Sequence, residues 1–251
     1  PLQELLRLSR ELHPRWAAEL RALTGIDNEY RRCGAWYLAA NDLESAALRT
    51  QFAAWTAAGV TATWHERADL SPLLSPAWHA GYFASEEAQI RNPRQLQALL
   101  AAVTARGVHL ETHTEPRSIT RGAGSTVEVT TDNGRWSAAH VCLCGGAWSA
   151  ALGQMLGAPL AVKPVRGQML LLETALDLPA IVNHGPRYIV PRRGGLTLVG
   201  STEEDAGFVR ENTAAGLAEL RAFAVQAIPE LANAVEFQAW SGLRPASARP
   251  W

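Results

Sequence analysis

The sequence predicts an α/β (α+β) fold in two parts, one of βα alternation and one built on a mixed, largely antiparallel sheet with flanking helices. Three observations carry this expectation. Over residues 81–160 a helical pattern, short apolar runs, a double glycine and a second helix follow one another. After residue 161 the chain becomes strand-rich, with runs at 162–173, 180–183, 187–190, 196–200 and 235–243 interrupted by one helix over 213–228. Hydrophobic residues make up 47% of the 251 and charged residues 19%, enough apolar material for a sizeable core in one or two domains. The expected division assigns 1–80 and 161–240 to the sheet-based part, 81–160 to the alternating part, and 241–251 to a return into the latter.

The chain opens on a helical pattern in which Leu2, Leu5, Leu6, Leu8, Leu12, Trp16 and Leu20 recur between charged residues. A surface helix with one buried stripe is expected there, kinked or broken at Pro14 and stopped by Gly25. A strand follows over 30–40. Asn41 caps a helix to about residue 58, Gly59 ends it, and 60–64 returns as a strand. Proline and serine mark 70–76 as a loop. Asn92 and Pro93 start a helix through Arg106, Gly107 ends it, and 108–111 is a short strand. Strands at 118–121 and 126–131 flank a glycine turn, and Asp132, Asn133 and Gly134 turn into another. An apolar strand over 139–144 then leads through Gly145 and Gly146 into a helix over 147–156.

Composition excludes several classes. The net charge of −1 provides no sequence-wide positive field, so nucleic acid is not an expected partner. No apolar run approaches the roughly 20 residues of a membrane span, and the first residues lack the order of a signal peptide, so a cytoplasmic location is expected. Cys33, Cys142 and Cys144 form no CxxC pair and are expected to be buried reduced thiols. His109 and His113 share a face without a third ligand, and no metal is expected. The signatures HExxH, GxxxxGK[ST], GxSxG and GxGxxG are absent.

Four short motifs remain. The run CGGAWS places Gly145, Gly146, Ala147 and Trp148 between a strand end and a helix, where phosphate could approach or where glycines merely permit a tight connection. The run KPVRGQM sets Gly167 inside a strand between Arg166 and Gln168, which marks close approach by a ligand or backbone, or a bulge. In WSGLRP, Trp240, Gly242 and Arg244 share a face, with Arg244 suited to bidentate capture of a carboxylate or to an ordinary surface ion pair. Tyr188 shares a face with Val190, as a half-buried tyrosine with its hydroxyl at water.

Taken in order, TGIDNEYRRCGAWYLA, CGGAWS, PVRGQM, YIVPR, LVGSTEEDAGF and WSGLRP resemble the D-amino acid oxidase family of FAD-dependent oxidoreductases, most closely the bacterial glycine oxidases of thiamine biosynthesis. The resemblance implies that the alternating part belongs to a FAD/NAD(P)-binding Rossmann-like domain and the sheet to a substrate domain. It implies FAD as cofactor, a small amino-acid substrate with glycine or sarcosine favoured, and molecular oxygen as acceptor. Hydride transfer to flavin would then give an imino acid and hydrogen peroxide. A related dehydrogenase with a non-oxygen acceptor, or a non-catalytic remnant, are the alternatives, and homo-oligomerisation is left open. By the same resemblance Arg244 pairs with the substrate carboxylate and Tyr188 orients it. Gly145, Gly146, Ala147 and Trp148 match a flavin-contacting turn, and Arg166, Gly167 and Gln168 a strand beside the isoalloxazine. The chain starts at Pro1 inside a helical pattern and lacks the family's GxGxxG, so a fragment with weakened flavin binding is expected.

Overall fold

The structure is a computed structural model that describes residues 2–124 and 126–247. In chain order the elements are α1 (Leu2–Thr24), β1 (Arg31–Arg32), β2 (Ala35–Ala39), α2 (Asp42–Ala57), β3 (Ala62–Glu66), β4 (Ala80–Ala84), β5 (Ala88–Gln89), α3 (Asn92–Ala105), β6 (Pro116–Arg121), β7 (Val127–Thr131), β8 (Gly134–Ala138), α4 (Ser149–Met155), β9 (Val162–Glu173), β10 (Ile181–His184), β11 (Arg187–Arg192), β12 (Leu196–Gly200), α5 (Ala214–Ala227) and β13 (Val235–Ser247). The mixed α/β class expected from the sequence is the one observed, with an eight-stranded sheet in the order β13-β9-β12-β11-β10-β2-β4-β3. From β9 to β3 the neighbouring strands of that sheet pair antiparallel except β10 with β2, which is parallel and sets Ile181 opposite Ala35.

The chain divides into two compact units. The first comprises Pro1–Ala102, Gln168–Thr202 and Glu211–Ser241. Its core lies between one face of the sheet and α5, where Leu38, Leu170, Leu172, Val182, Ile189 and Val199 meet Leu220, Phe223, Ala224 and Ala227. Fully burying one Leu or Phe side chain contributes roughly 1.5–3 kcal/mol, so this layer anchors the unit. The period of two sends Ala35, Leu171, Ile181, Val190 and Leu198 to the opposite face. Over β2 and β4, Trp55 and Phe52 of α2 pack on Tyr37 and Tyr82, which stack on each other with centroids 4.7 Å apart.

The helix caps follow the sequence. Asn41 accepts from the Glu44 N–H at 2.9 Å to start α2, and Thr213 accepts from the Gly216 N–H at 3.1 Å to start α5. The α5 cap is reinforced from 45 residues away. Gln168, fully buried, accepts from the Thr213 N–H at 2.7 Å and donates to the Thr213 hydroxyl at 3.0 Å. A Cβ on Gly216 would stand 2.2 Å from the Gln168 side-chain nitrogen. Glycine to alanine inside a helix ordinarily stabilises by about 1 kcal/mol. Gly216→Ala is expected to reverse that sign and destabilise by about 1–3 kcal/mol through overpacking against a pinned side chain. Thermal melts of Gly216→Ala and of Gly216→Ala with Gln168→Ala check this, because a gain in stability for the single variant contradicts the contact.

The second unit comprises Val103–Gly167, Glu203–Arg210 and Gly242–Trp251, with residues 248–251 outside the description. Its own sheet is antiparallel, in the order β6-β7-β8, with Val129 opposite Ile119 on one side and Trp136 on the other.

Five expectations are corrected. Residues 139–144 and 108–111 are not strands: both carry apolar residues, but no described strand pairs with either. Hydropathy specifies the run, whereas a strand also needs a neighbour. Consequently Cys142 and Cys144 are exposed, not buried, and Cys33 is only half-buried. The strand expected over 30–40 is split into β1 and β2, because the Cys33 and Gly34 N–H groups both turn to the Glu87 carbonyl, at 3.1 and 2.9 Å. In α1, Leu5, Leu8 and Trp16 are exposed; Leu20 is buried, in a cluster with Ala98 and Ala102, while the side chains of Leu2 and Leu6 lie outside the description. The helix is not broken at Pro14, the second of the two alternatives there, but runs through it as one element.

Candidate functional site

Arg244 lies in β13 and Gly167 in β9, both within the second unit. A Cβ on Gly167 would stand 2.7–2.9 Å from three atoms of the Arg244 guanidinium, so only glycine lets that planar group lie across the strand. Gly242, two residues before Arg244, has nothing within 4 Å of its Cβ position. A cation with open space on its own strand face is thus built from two glycines and one arginine. Glu203 Oε1 lies 4.0 Å from Arg244 Nη1, at the edge of ion-pair range, and 41% of the Arg244 side chain remains exposed.

The neighbours of Gly167 point the other way. Arg166 is buried, its Nη2 2.5 Å from Glu204 Oε2, and the two residues exchange backbone hydrogen bonds of 2.9 Å in both directions. Gln168 is committed to Thr213, and its N–H donates to the Thr202 hydroxyl at 2.9 Å. Of the three residues predicted to lie beside a flavin, Arg166 and Gln168 hold the protein together through side chains; Gly167 alone is cleared for a ligand-facing group. Glu204 and Thr213 were not singled out from the sequence, since nothing local signals partners 38 and 45 residues away.

Tyr188 belongs to the first unit. It stands opposite Gly200, and a Cβ there would meet the Tyr188 ring at 2.7 Å and the Met169 sulfur at 2.8 Å. The Tyr188 hydroxyl donates to Met169 Sδ at 3.5 Å, a weak acceptor that an incoming oxygen readily replaces. Two residues on, Arg192 donates through Nη1 to Gln89 Oε1 at 2.6 Å and to the Ile90 carbonyl at 2.7 Å. Burial holds the Arg192 guanidinium below the usual arginine range.

The turn carrying Gly145, Gly146, Ala147 and Trp148 is in the second unit. A 3-10 turn, Gly146–Trp148, occupies the place expected for the helix start, and α4 begins only at Ser149 and runs seven residues. The helix-dipole route to phosphate binding is therefore weaker than the sequence suggested. Ala147 is buried, while Trp148 is exposed and packs its ring on Phe208 with centroids 5.7 Å apart. Gly146 has φ +55° and nothing within 4 Å of its Cβ position, so the backbone there is open to a flat group that any side chain would obstruct.

A groove of about 450 Å³ in the same unit is lined by Trp136, Leu143, Leu152, Cys142 and Cys144 among others, and by none of the predicted substrate residues. It opens where 108–111 and 139–144 have no strand neighbour among the described residues. His109 is hydrogen-bonded to Glu111 at 2.5 Å, and no cluster of three metal-ligating side chains exists among the described residues. No described helix is long and apolar enough to cross a membrane.

A guanidinium laid over a strand glycine, and a glycine turn with open space at its Cβ position, form an arrangement chemically suited to a small anion and a flat group. The profile of the DAO family, FAD dependent oxidoreductase, matches residues 1–250, and the chain belongs to that family. It is similar to the glycine oxidase of Pseudomonas putida, at 37% identity over 250 residues, which is 97% of this chain and 67% of that protein. Among solved structures it superposes on the glycine oxidase of Geobacillus kaustophilus with a TM-score of 0.95 and 30% identity, covering 99% of this chain and 68% of that one. The glycine oxidase of Bacillus cereus gives a TM-score of 0.93 and 26% identity, over 98% and 69% of the two chains. The chain spans about two thirds of the length of these relatives. It is an FAD-dependent enzyme of amino-acid oxidation, and FAD is its cofactor.

Proposed function

We propose that the chain carries the substrate machinery of a cytoplasmic oxidase that deaminates a small amino acid, glycine or sarcosine, with release of an imino acid and hydrogen peroxide. The observation that carries this reading is the Arg244 guanidinium lying across Gly167 with open space at Gly242. Its planar fork suits a carboxylate bidentately, and that pairing fixes where the α-carbon sits. Tyr188 supports the orientation by moving its hydroxyl hydrogen bond from Met169 to the substrate. Gly145, Gly146, Ala147 and Trp148 hold the cofactor through open backbone, and Gly167 clears its approach, with Arg166 and Gln168 keeping that strand rigid. Bound FAD supplies the hydride acceptor, so the chain's work is orientation and exclusion of water, and no general base is required.

The test is anaerobic mixing of the FAD-loaded protein with glycine, followed by oxygen or by a quinone. The reading predicts bleaching by glycine and fast recovery with oxygen. Recovery only with the quinone identifies a dehydrogenase instead, and no bleaching with flavin bound identifies a non-catalytic remnant.

A further inference from the structure

Glu203 and Glu204 are neighbours in the stretch after β12, and the backbone sends them to opposite sides. Arg166 of β9 and Glu204 form an antiparallel bridge, exchanging backbone hydrogen bonds of 2.9 Å in both directions. The same register holds two residues on, where the Gln168 N–H donates to the Thr202 hydroxyl at 2.9 Å. Antiparallel partners run in opposite directions, so the residue before Glu204 stands across from the residue after Arg166, which puts Glu203 opposite Gly167. Successive side chains alternate between faces. Glu204 takes the face on which its Oε2 meets Arg166 Nη2 at 2.5 Å, and Glu203 takes the other. That other face is the one where a Cβ on Gly167 would meet the Arg244 guanidinium at 2.7–2.9 Å. The bridge therefore delivers a second carboxylate to Arg244, with Glu203 Oε1 4.0 Å from Arg244 Nη1.

We propose that Glu203 is a specificity-determining residue of the Arg244 site: its carboxylate offsets part of the guanidinium charge and turns away substrates that bring a second negative charge. The class that fits is an amino acid with one carboxylate and an uncharged or cationic remainder. The proposal rests on the reading of Arg244 as the carboxylate anchor.

The distance decides how Glu203 acts. At 4.0 Å the pair is beyond hydrogen-bond reach, so the influence is one of charge and not of a shared donor. A monocarboxylate arriving at the guanidinium meets the attraction of Arg244 and a weaker repulsion from Glu203. A dicarboxylate commits one charge to the planar fork and brings the other close to Glu203, where like charges oppose each other. The amino group of an amino acid meets no such repulsion, because a carboxylate attracts it when it is protonated and accepts a hydrogen bond from it when it is not.

The experiment is isothermal titration of the FAD-loaded protein with acetate and with malonate, which carry one carboxylate and two and have no amine to oxidise. Wild type is compared with Glu203→Gln, Glu203→Asp and Glu203→Lys. Glu203→Gln is expected to tighten acetate about 3-fold, the scale of a screened ion pair, and malonate about 10-fold or more. Glu203→Asp should keep the wild-type preference for acetate, Glu203→Lys should shift it further toward malonate than Glu203→Gln, and added salt should shrink every difference. Damage to the fold would weaken both ligands together and leave their ratio unchanged. The proposal is overturned if that ratio is the same in wild type, Glu203→Gln and Glu203→Lys. Arg244→Lys, titrated alongside, tests the reading beneath it. Acetate binding that ignores Arg244→Lys overturns the anchor and this proposal with it, whereas acetate that needs Arg244 but ignores the charge at position 203 overturns this proposal alone.

Discussion

Arg244→Lys in the FAD-loaded enzyme is expected to lower kcat/KM for glycine by about 2–5 kcal/mol, at least roughly 30-fold. The ammonium keeps the charge but not the planar fork, and its flexible stem cannot lie flat over Gly167 as the guanidinium does. Tyr188→Phe removes one hydrogen bond and is expected to cost about 1 kcal/mol. The control is a primary amine without a carboxylate. A purely structural arginine lowers kcat/KM for both substrates alike, whereas a carboxylate anchor affects glycine alone. Equal losses on the two would show that Arg244 acts through the fold.

The second large effect concerns stability. Glu204→Ala removes the carboxylate paired with the buried Arg166 guanidinium and is expected to destabilise by about 3 kcal/mol. That is the low end for breaking a buried pair, because the Glu204 side chain is 30% exposed and solvent screens part of the loss. Glu204→Gln keeps an acceptor and the backbone exchange, and should cost less. Replacing both partners with Met and Leu should recover much of the loss, since two apolar side chains leave no buried charge behind. Denaturant titrations of the four proteins separate these outcomes. If the double replacement is as unstable as Glu204→Ala, the penalty comes from packing and not from the stranded charge.

What was legible in the sequence was local. The apolar runs that became β9 and β12, and the Asn41 cap of α2, are set by side chains next to the backbone they affect. β4, a central strand between β2 and β3, escaped separate notice because Ala80, Gly81 and Ala84 are small and only Tyr82 and Phe83 signal a strand. Residues 139–144 show the converse, a strand pattern without a described partner. At the site, the motifs pointed to Arg244, Gly167 and Tyr188 by type. They could not show that Gln168 belongs to the α5 cap, or that Arg166 answers to Glu204, because both depend on partners distant in sequence.

The central claim is that this chain positions the α-carbon of a small amino acid for oxidation at FAD with oxygen as acceptor. The most direct measurement is the stoichiometry of products from glycine under oxygen with the FAD-loaded protein. The account predicts equal amounts of glyoxylate, ammonia and hydrogen peroxide for each glycine and oxygen consumed. Glyoxylate formed without peroxide, or no turnover in protein that retains its flavin, would contradict it.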